Sequence, residues 1–393
     1  MIDLAKVRRD TSACERVLHF NNAGAALMPD AVVARQVAHI RREGEIGGYE
    51  AAAEAAEEID GVYRSVAALL NAAPGEIALM ENATLAWNAA FFSFDFQPGD
   101  RLLTGEAEYA SNYLNYLKLA RSTGLVIEAI PSTAEGELSI PDLEAACARP
   151  GVKLITVTHV PTNGGLVNPA EEIGRVARAH GIPFLLDACQ SAGQIDLDVG
   201  KLGCDLLSAT GRKYLRGPRG SGFLYVRRGF LDRVEPPALD LRAAKWVAAD
   251  RYELRPDAKR FENWEYNYAA VLGLGTAVDY ARAIGLPAIE ARVADLAAGL
   301  RARLAEIPGV TVQDIGRRRC GLCVFEVTGR TAEDVKANLR RQDINTSVTD
   351  PNSTLLDATK RTLPDLVRAS VHYYNSDEEL DRFAAAVKAI AAA

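Results

Sequence analysis

Asp187 and Lys213 are the residues whose types and spacing best suit them to chemistry. Asp187 closes the apolar run 184–186, and Lys213 follows Leu206 and Leu207 by way of the small turn 208–211. Each stands where a strand is expected to end in an α/β chain. A carboxylate and an amine so disposed are what pyridoxal phosphate requires: the amine forms a Schiff base with its aldehyde, and the carboxylate keeps its ring nitrogen protonated. A phosphate also needs a seat. Glu81-Asn82-Ala83-Thr84 reads as a turn into a helix whose first N–H groups are free to hold an anion, and Thr210 and Arg212 add a hydroxyl and a cation beside Lys213. By charge alone, Arg212, Lys213, Arg216 and Arg219 serve equally well as a solvated basic turn.

Strand-like and helical patterns alternate through most of the chain and imply a mainly parallel sheet covered on both faces. Helices are expected over 31–72, interrupted at Gly44, Gly47 and Gly48, then at 111–123, 141–149 and 169–180; strands are expected at 101–104, 126–130, 154–159 and 222–226. Residues 242–264 are irregular and rich in charge, and a helix follows at 268–284. Beyond Gly285-Leu286-Pro287 the pattern turns to long amphipathic helices (289–307, 332–341, 378–392) between short strands, as in a smaller α+β domain.

The 393 residues are 48% hydrophobic and 25% charged, and the net charge is -7. An acidic balance without a basic, aromatic-studded stripe excludes a nucleic-acid footprint and favours a small-molecule substrate. The first residues lack the apolar core of a signal peptide, and no apolar run reaches membrane-spanning length, so a cytoplasmic, membrane-free protein is expected. The six cysteines are scattered, which argues against a disulfide framework, and no metal site is expected. Cys320 and Cys323 form a CxxC inside a strand-like run and are read as core.

The segments HFNNAGAALMP, THVPTNGGLVNPAEEIG, LLDACQSAGQIDLDVGKLGCDLLSATGRK, GPRGSGFLYV and VRASVHYYNSDEELDRF occur in the order found in class V pyridoxal phosphate enzymes. The chain resembles the branch that holds cysteine desulfurases, selenocysteine lyases, isopenicillin N epimerase and hercynylcysteine sulfoxide lyase. That resemblance implies the α/β fold of fold-type I transferases: a large domain with a mostly parallel seven-stranded sheet (19–285) and a smaller α+β domain (286–393), with residues 1–18 packed on the latter. It implies Lys213 as the Schiff-base lysine, Asp187 as partner of the ring nitrogen and Gln190 as partner of the phenolic oxygen. Ala83, Thr84, Thr210 and Arg212 would hold the phosphate, and Tyr109 would stack on the ring and stand ready as a second acid. Thr162 or Asn163 would lie on the other side of the ring, Arg368 would bind the substrate carboxylate, and Asn22 and Ala25 would touch substrate. The resemblance also implies a homodimer.

Three departures bear on the reaction. The stretch SVTDPNSTLLDATKRTLPDLVR has no cysteine where desulfurases carry their loop nucleophile, Tyr109 replaces a histidine, and Trp264 and Glu265 replace a glycine and threonine that reach the partner subunit's phosphate. The expectation drawn is a β-eliminating lyase that acts on a C–S or similar bond and releases pyruvate and ammonia. An aminotransferase or an amino-acid epimerase stands as the alternative, and persulfide-type desulfuration is disfavoured. A binding protein without catalysis predicts loss of Lys213 or Asp187, and both are present.

Overall fold

The computed structural model describes residues 2–393. Its main sheet has seven strands: β1 (Ile77–Met80), β2 (Arg101–Gly105), β3 (Val126–Ile130), β4 (Val152–Thr158), β5 (Phe184–Asp187), β6 (Leu206–Thr210) and β7 (Gly222–Val226). They lie in the order β1-β7-β6-β5-β4-β2-β3, and only β7 runs against the rest. The middle strands carry runs of apolar residues because helices cover both faces; Leu185, Leu186, Leu206 and Leu207 are all fully buried. The order reverses between β2 and β4. Chain leaving the two strands there diverges and opens a crevice at their carboxyl ends, where such sheets bind ligands.

The helical stretch expected over 31–72 is three helices, Asp30–Ile46, Gly48–Glu54 and Ala56–Leu70, broken at Gly47 and Ala55. The irregular region contains an antiparallel ribbon, Ala244–Ala248 with Arg251–Leu254, on which Trp246 and Tyr252 pair across the strands with their rings exposed. Helix Tyr268–Ile284 ends at Gly285, whose φ of 96° suits glycine, and the next helix, Leu286–Ala305, leaves at 81°. Among the described residues no single helix is long and apolar enough to cross a membrane.

A four-stranded antiparallel sheet follows: β8 (Val310–Val312), β9 (Leu322–Val327), β10 (Ser347–Thr349) and β11 (Leu366–Ser370), in the order β8-β9-β11-β10. The amino-terminal residues dock beside it. Leu18–His19 pairs in parallel with Ile344–Asn345, Arg8 forms an ion pair with Glu379, and Ala26 N–H bonds the Arg212 carbonyl. Strand β11 stops at Ser370, so His372, Tyr373 and Tyr374 do not alternate between faces as a continuing strand would make them. All three are fully buried.

Candidate active site

The carboxyl ends of β2, β4, β5 and β6 border one cavity, which collects polar side chains from all four strand ends. Asp187 is the last residue of β5, buried and doubly bonded: Oδ1 accepts from Cys189 N–H (2.9 Å) and Oδ2 from Asn112 Nδ2 (3.0 Å). Burial raises its pKa, against the opposing pull of those donors and of Lys213. Lys213 sits in the turn after β6 and opens into the same cavity. Burial lowers its pKa, and the positive charges of Arg212 and Arg368 push the same way against Cys189 and Asp187. The amine is therefore readier to lose its proton than an ordinary lysine.

Helix Ala83–Phe91 begins at the cavity wall, with Asn82 Oδ1 capping Leu85 N–H (2.9 Å) and Ala83 and Thr84 lining the space. Gly222 makes this possible. A Cβ there would lie 2.6 Å from the Ala209 carbonyl oxygen and 3.1 Å from the Asn82 carbonyl carbon, so only glycine lets the turn sit against the head of β7. Thr210 and Arg212 also line the cavity; Thr210 Oγ1 donates to the Ser221 carbonyl (3.3 Å), and Arg212 donates to that of Gly24. Tyr109, which precedes helix Ala110–Thr123, lines the cavity too.

Gln190 donates through Nε2 to the Ala23 carbonyl (3.3 Å), while its buried Oε1 has no protein partner although it borders the cavity. An orphaned acceptor at that point fits a ligand hydroxyl such as the phenol of pyridoxal phosphate. The free N–H groups of the helix start fit its phosphate, and Asp187 fits its ring nitrogen. The residues present suit the cofactor. Arg368, on β11, donates to Ser347 Oγ (3.0 Å) and to Thr162 Oγ1 (2.6 Å) and has no carboxylate at ion-pair distance among the described residues.

Two expected contacts fall elsewhere. Asn163 bonds Thr349 and the Asp350 carbonyl (3.0 Å), so it tethers the segment after β10, and Thr162 is the residue of the pair that borders the cavity. Asn22 is fully buried, with Nδ2 on the Ser370 and His19 carbonyls (2.7 and 3.4 Å) and Oδ1 accepting from Tyr374, and it does not line the cavity. Cys189, Asn112 and Thr158 border the cavity and were not singled out. Cys189 lies two residues past Asp187, and Asn112 lies three past Tyr109, about one helical turn; that spacing was the available signal.

The model of the aminotransferase class-V family matches residues 18–383, and the chain belongs to that family. It is a fold-type I enzyme that uses pyridoxal phosphate and acts on an amino acid. It is 31% identical over 385 residues to a probable cysteine desulfurase of Pyrococcus abyssi, covering 96% of this chain and 95% of that one. The solved cysteine desulfurase of Thermococcus onnurineus, in its apo form, is 30% identical with a TM-score of 0.91, over 100% of this chain and 99% of that one. The cystine C–S lyase C-DES, solved with glycine covalently linked to its pyridoxal phosphate, has the same fold at 23% identity (TM-score 0.87; 97% of this chain, 98% of that one).

These relatives correct one expectation. Persulfide-forming desulfuration was set aside because the segment after β10 lacks a cysteine, yet relatives named cysteine desulfurase match the chain over nearly its whole length. One missing loop thiol is no ground for excluding the reaction, since the apparatus that activates Cα resides in other residues.

Proposed function

We propose that the protein cleaves the Cβ–S bond of cysteine or an S-substituted cysteine. The observation that carries this reading is the meeting of Lys213 and Asp187 in one buried cavity, with Arg368, free of any acidic partner, within bonding distance of cavity-lining Thr162. Ala83, Thr84, Thr210 and Arg212 would hold the cofactor's phosphate, Tyr109 would cover its ring, and Gln190 would meet its phenolic oxygen. When bound, pyridoxal phosphate supplies the electron sink that acidifies Cα. Asp187 keeps the proton on the ring nitrogen. Arg368 grips the substrate carboxylate, with Ser347 and Thr162 fixing its guanidinium plane. The Lys213 amine, its pKa lowered by burial, takes the Cα proton and is placed to return one to the departing sulfur.

Elimination converts cysteine and water to pyruvate, ammonia and hydrogen sulfide; desulfuration with an acceptor thiol yields alanine and a persulfide. Both share the residues named. The test offers cysteine, cystine and S-alkylcysteines with and without an added thiol, and measures pyruvate, ammonia, alanine and sulfane sulfur. C–S cleavage of at least one is expected, and pyruvate against alanine separates the two outcomes. Intact substrates across the panel would sink the reading. We further propose that the enzyme works as a homodimer. Its six free cysteines support a reducing compartment, the cytoplasm.

A further inference from the structure

Glu108 lies just outside the cavity wall, between the end of β2 and Tyr109, and is 3% exposed. Its Oε2 accepts from Thr104 Oγ1 and Thr158 N–H, both at 3.0 Å. Its Oε1 accepts from Thr158 Oγ1, from Tyr109 N–H (3.1 Å) and from Asn112 Nδ2 (2.9 Å). The two backbone N–H groups, one on each oxygen, cannot reverse their polarity, so this cage is built for a carboxylate and not for its acid. Burial works against the cage and brings Glu108 up to about 7.

Asn112 joins this carboxylate to the cofactor site. One N–H of its amide goes to Glu108 Oε1, and the same nitrogen also reaches Asp187 Oδ2 at 3.0 Å. With an acceptor on each side, the amide has only one orientation. Glu108 therefore decides which way Asn112 points and whether Asp187 receives a donor on that oxygen. The titratable groups facing the pair are Lys213 and Cys189 toward the cavity and Tyr116 from helix Ala110–Thr123.

We propose that Glu108, acting through Asn112, is a positioning residue that fixes the direction and strengthens the basicity of Asp187, and so sets how firmly the cofactor's ring nitrogen keeps its proton. The proposal rests on the reading of Asp187 as that nitrogen's partner. A negative charge two hydrogen bonds away makes Asp187 hold a shared proton more strongly, while the amide stops its carboxylate from turning.

Two variants test it. Glu108→Gln removes the charge at constant size; Asn112→Ser removes the bridge and leaves Glu108 its other four donors. Both are loaded with pyridoxal phosphate and titrated by visible absorbance against pH, and the cofactor's dissociation constant is measured on cofactor-free protein. A less positive ring raises the pH at which the Lys213–cofactor linkage loses its proton. The midpoint is expected to rise by about 0.5–1 unit in Glu108→Gln, where Asp187 loses a neighbouring negative charge, and to fall by about as much in Asn112→Ser, where Asp187 loses a donor that lowers its pKa. Cofactor affinity is expected to fall roughly 3- to 10-fold in both. Folded variants with wild-type midpoint and affinity would overturn the proposal, as would a loss of thermal stability with an unmoved midpoint. If Glu108→Gln does not fold, Asn112→Ser alone decides. Asp187→Asn is the control. A shift there without one in either variant defeats only this inference, whereas a wild-type protein that never develops a visible band with pyridoxal phosphate defeats the functional reading itself.

Discussion

Burial acts on Lys213 and Asp187 in opposite senses, lowering the amine's pKa and raising the carboxylate's, and both shifts favour the uncharged form. For the lysine this has a consequence for stability. A folded-state pKa below the unfolded value means that the unfolded chain binds the proton more tightly. As pH falls from about 10.4, the lysine's unfolded value, toward the lowered folded one, Lys213 costs the fold progressively more. Lys213→Met should therefore raise the thermal midpoint of the cofactor-free protein by a few degrees at pH 7, and by less at pH 10, while abolishing the visible band and turnover. A cofactor-free Lys213→Met protein less stable than wild type would show that burial does not strain the amine. Lys213 and Asp187 were legible in the sequence because each follows an apolar strand, a local pattern. Asn163 and Asn22 were not, because their orientation is decided by Thr349, Asp350, Ser370 and Tyr374, which only the tertiary fold brings near.

At the scale of elements, Arg216 ties three segments together behind the Lys213 turn. It is 1% exposed and donates to the Leu27 carbonyl, Tyr373 Oη and Thr11 Oγ1, with its guanidinium 5.1 Å from the Tyr373 ring centre and 4.6 Å from that of Tyr374. Its backbone φ is 60°, a conformation that costs a side-chain-bearing residue ~1–2 kcal/mol. Arg216→Gly relieves that strain but deletes three charge-assisted hydrogen bonds worth roughly 1.5–3 kcal/mol each. The hydrogen bonds win, so the variant should lose several kcal/mol in denaturant unfolding and bind the cofactor less tightly. A stability equal to wild type would mean that the tyrosine cage contributes nothing. In the sequence, Arg216 is one of four cations that charge alone reads equally as an anion seat or a solvated turn, and its burial was hidden because the tyrosines that enclose it lie about 160 residues away. The alternation of strands and helices was legible for the converse reason: each element carries its own apolar period, whereas the largely exposed ribbon at 244–254 has no buried face to give one.

Across the whole molecule, apolar surface remains exposed beside the proposed phosphate seat. Ile40 is 57% exposed and Tyr49 69%, and both line an open groove with Glu81, Glu265 and Tyr266. Glu81 immediately precedes Asn82 and the helix start that faces the cavity, so a second copy seated in this groove would brace the phosphate-binding turn. Burying a large apolar side chain gains roughly 1.5–3 kcal/mol, and placing carboxylates in the same contact adds a desolvation penalty. Ile40→Glu combined with Tyr49→Glu should therefore weaken self-association at least ~100-fold, since ~2.7 kcal/mol corresponds to that ratio. Light scattering coupled to size exclusion is expected to give a dimer for the wild type and a monomer for the double variant at micromolar concentration. Cofactor affinity should fall with it, because the turn at Asn82 loses its support. A monomeric wild type, or a double variant that stays dimeric, would refute this face as the contact. A monomeric double variant with unchanged cofactor affinity would confine the partner's role to assembly and leave the phosphate seat complete within one chain.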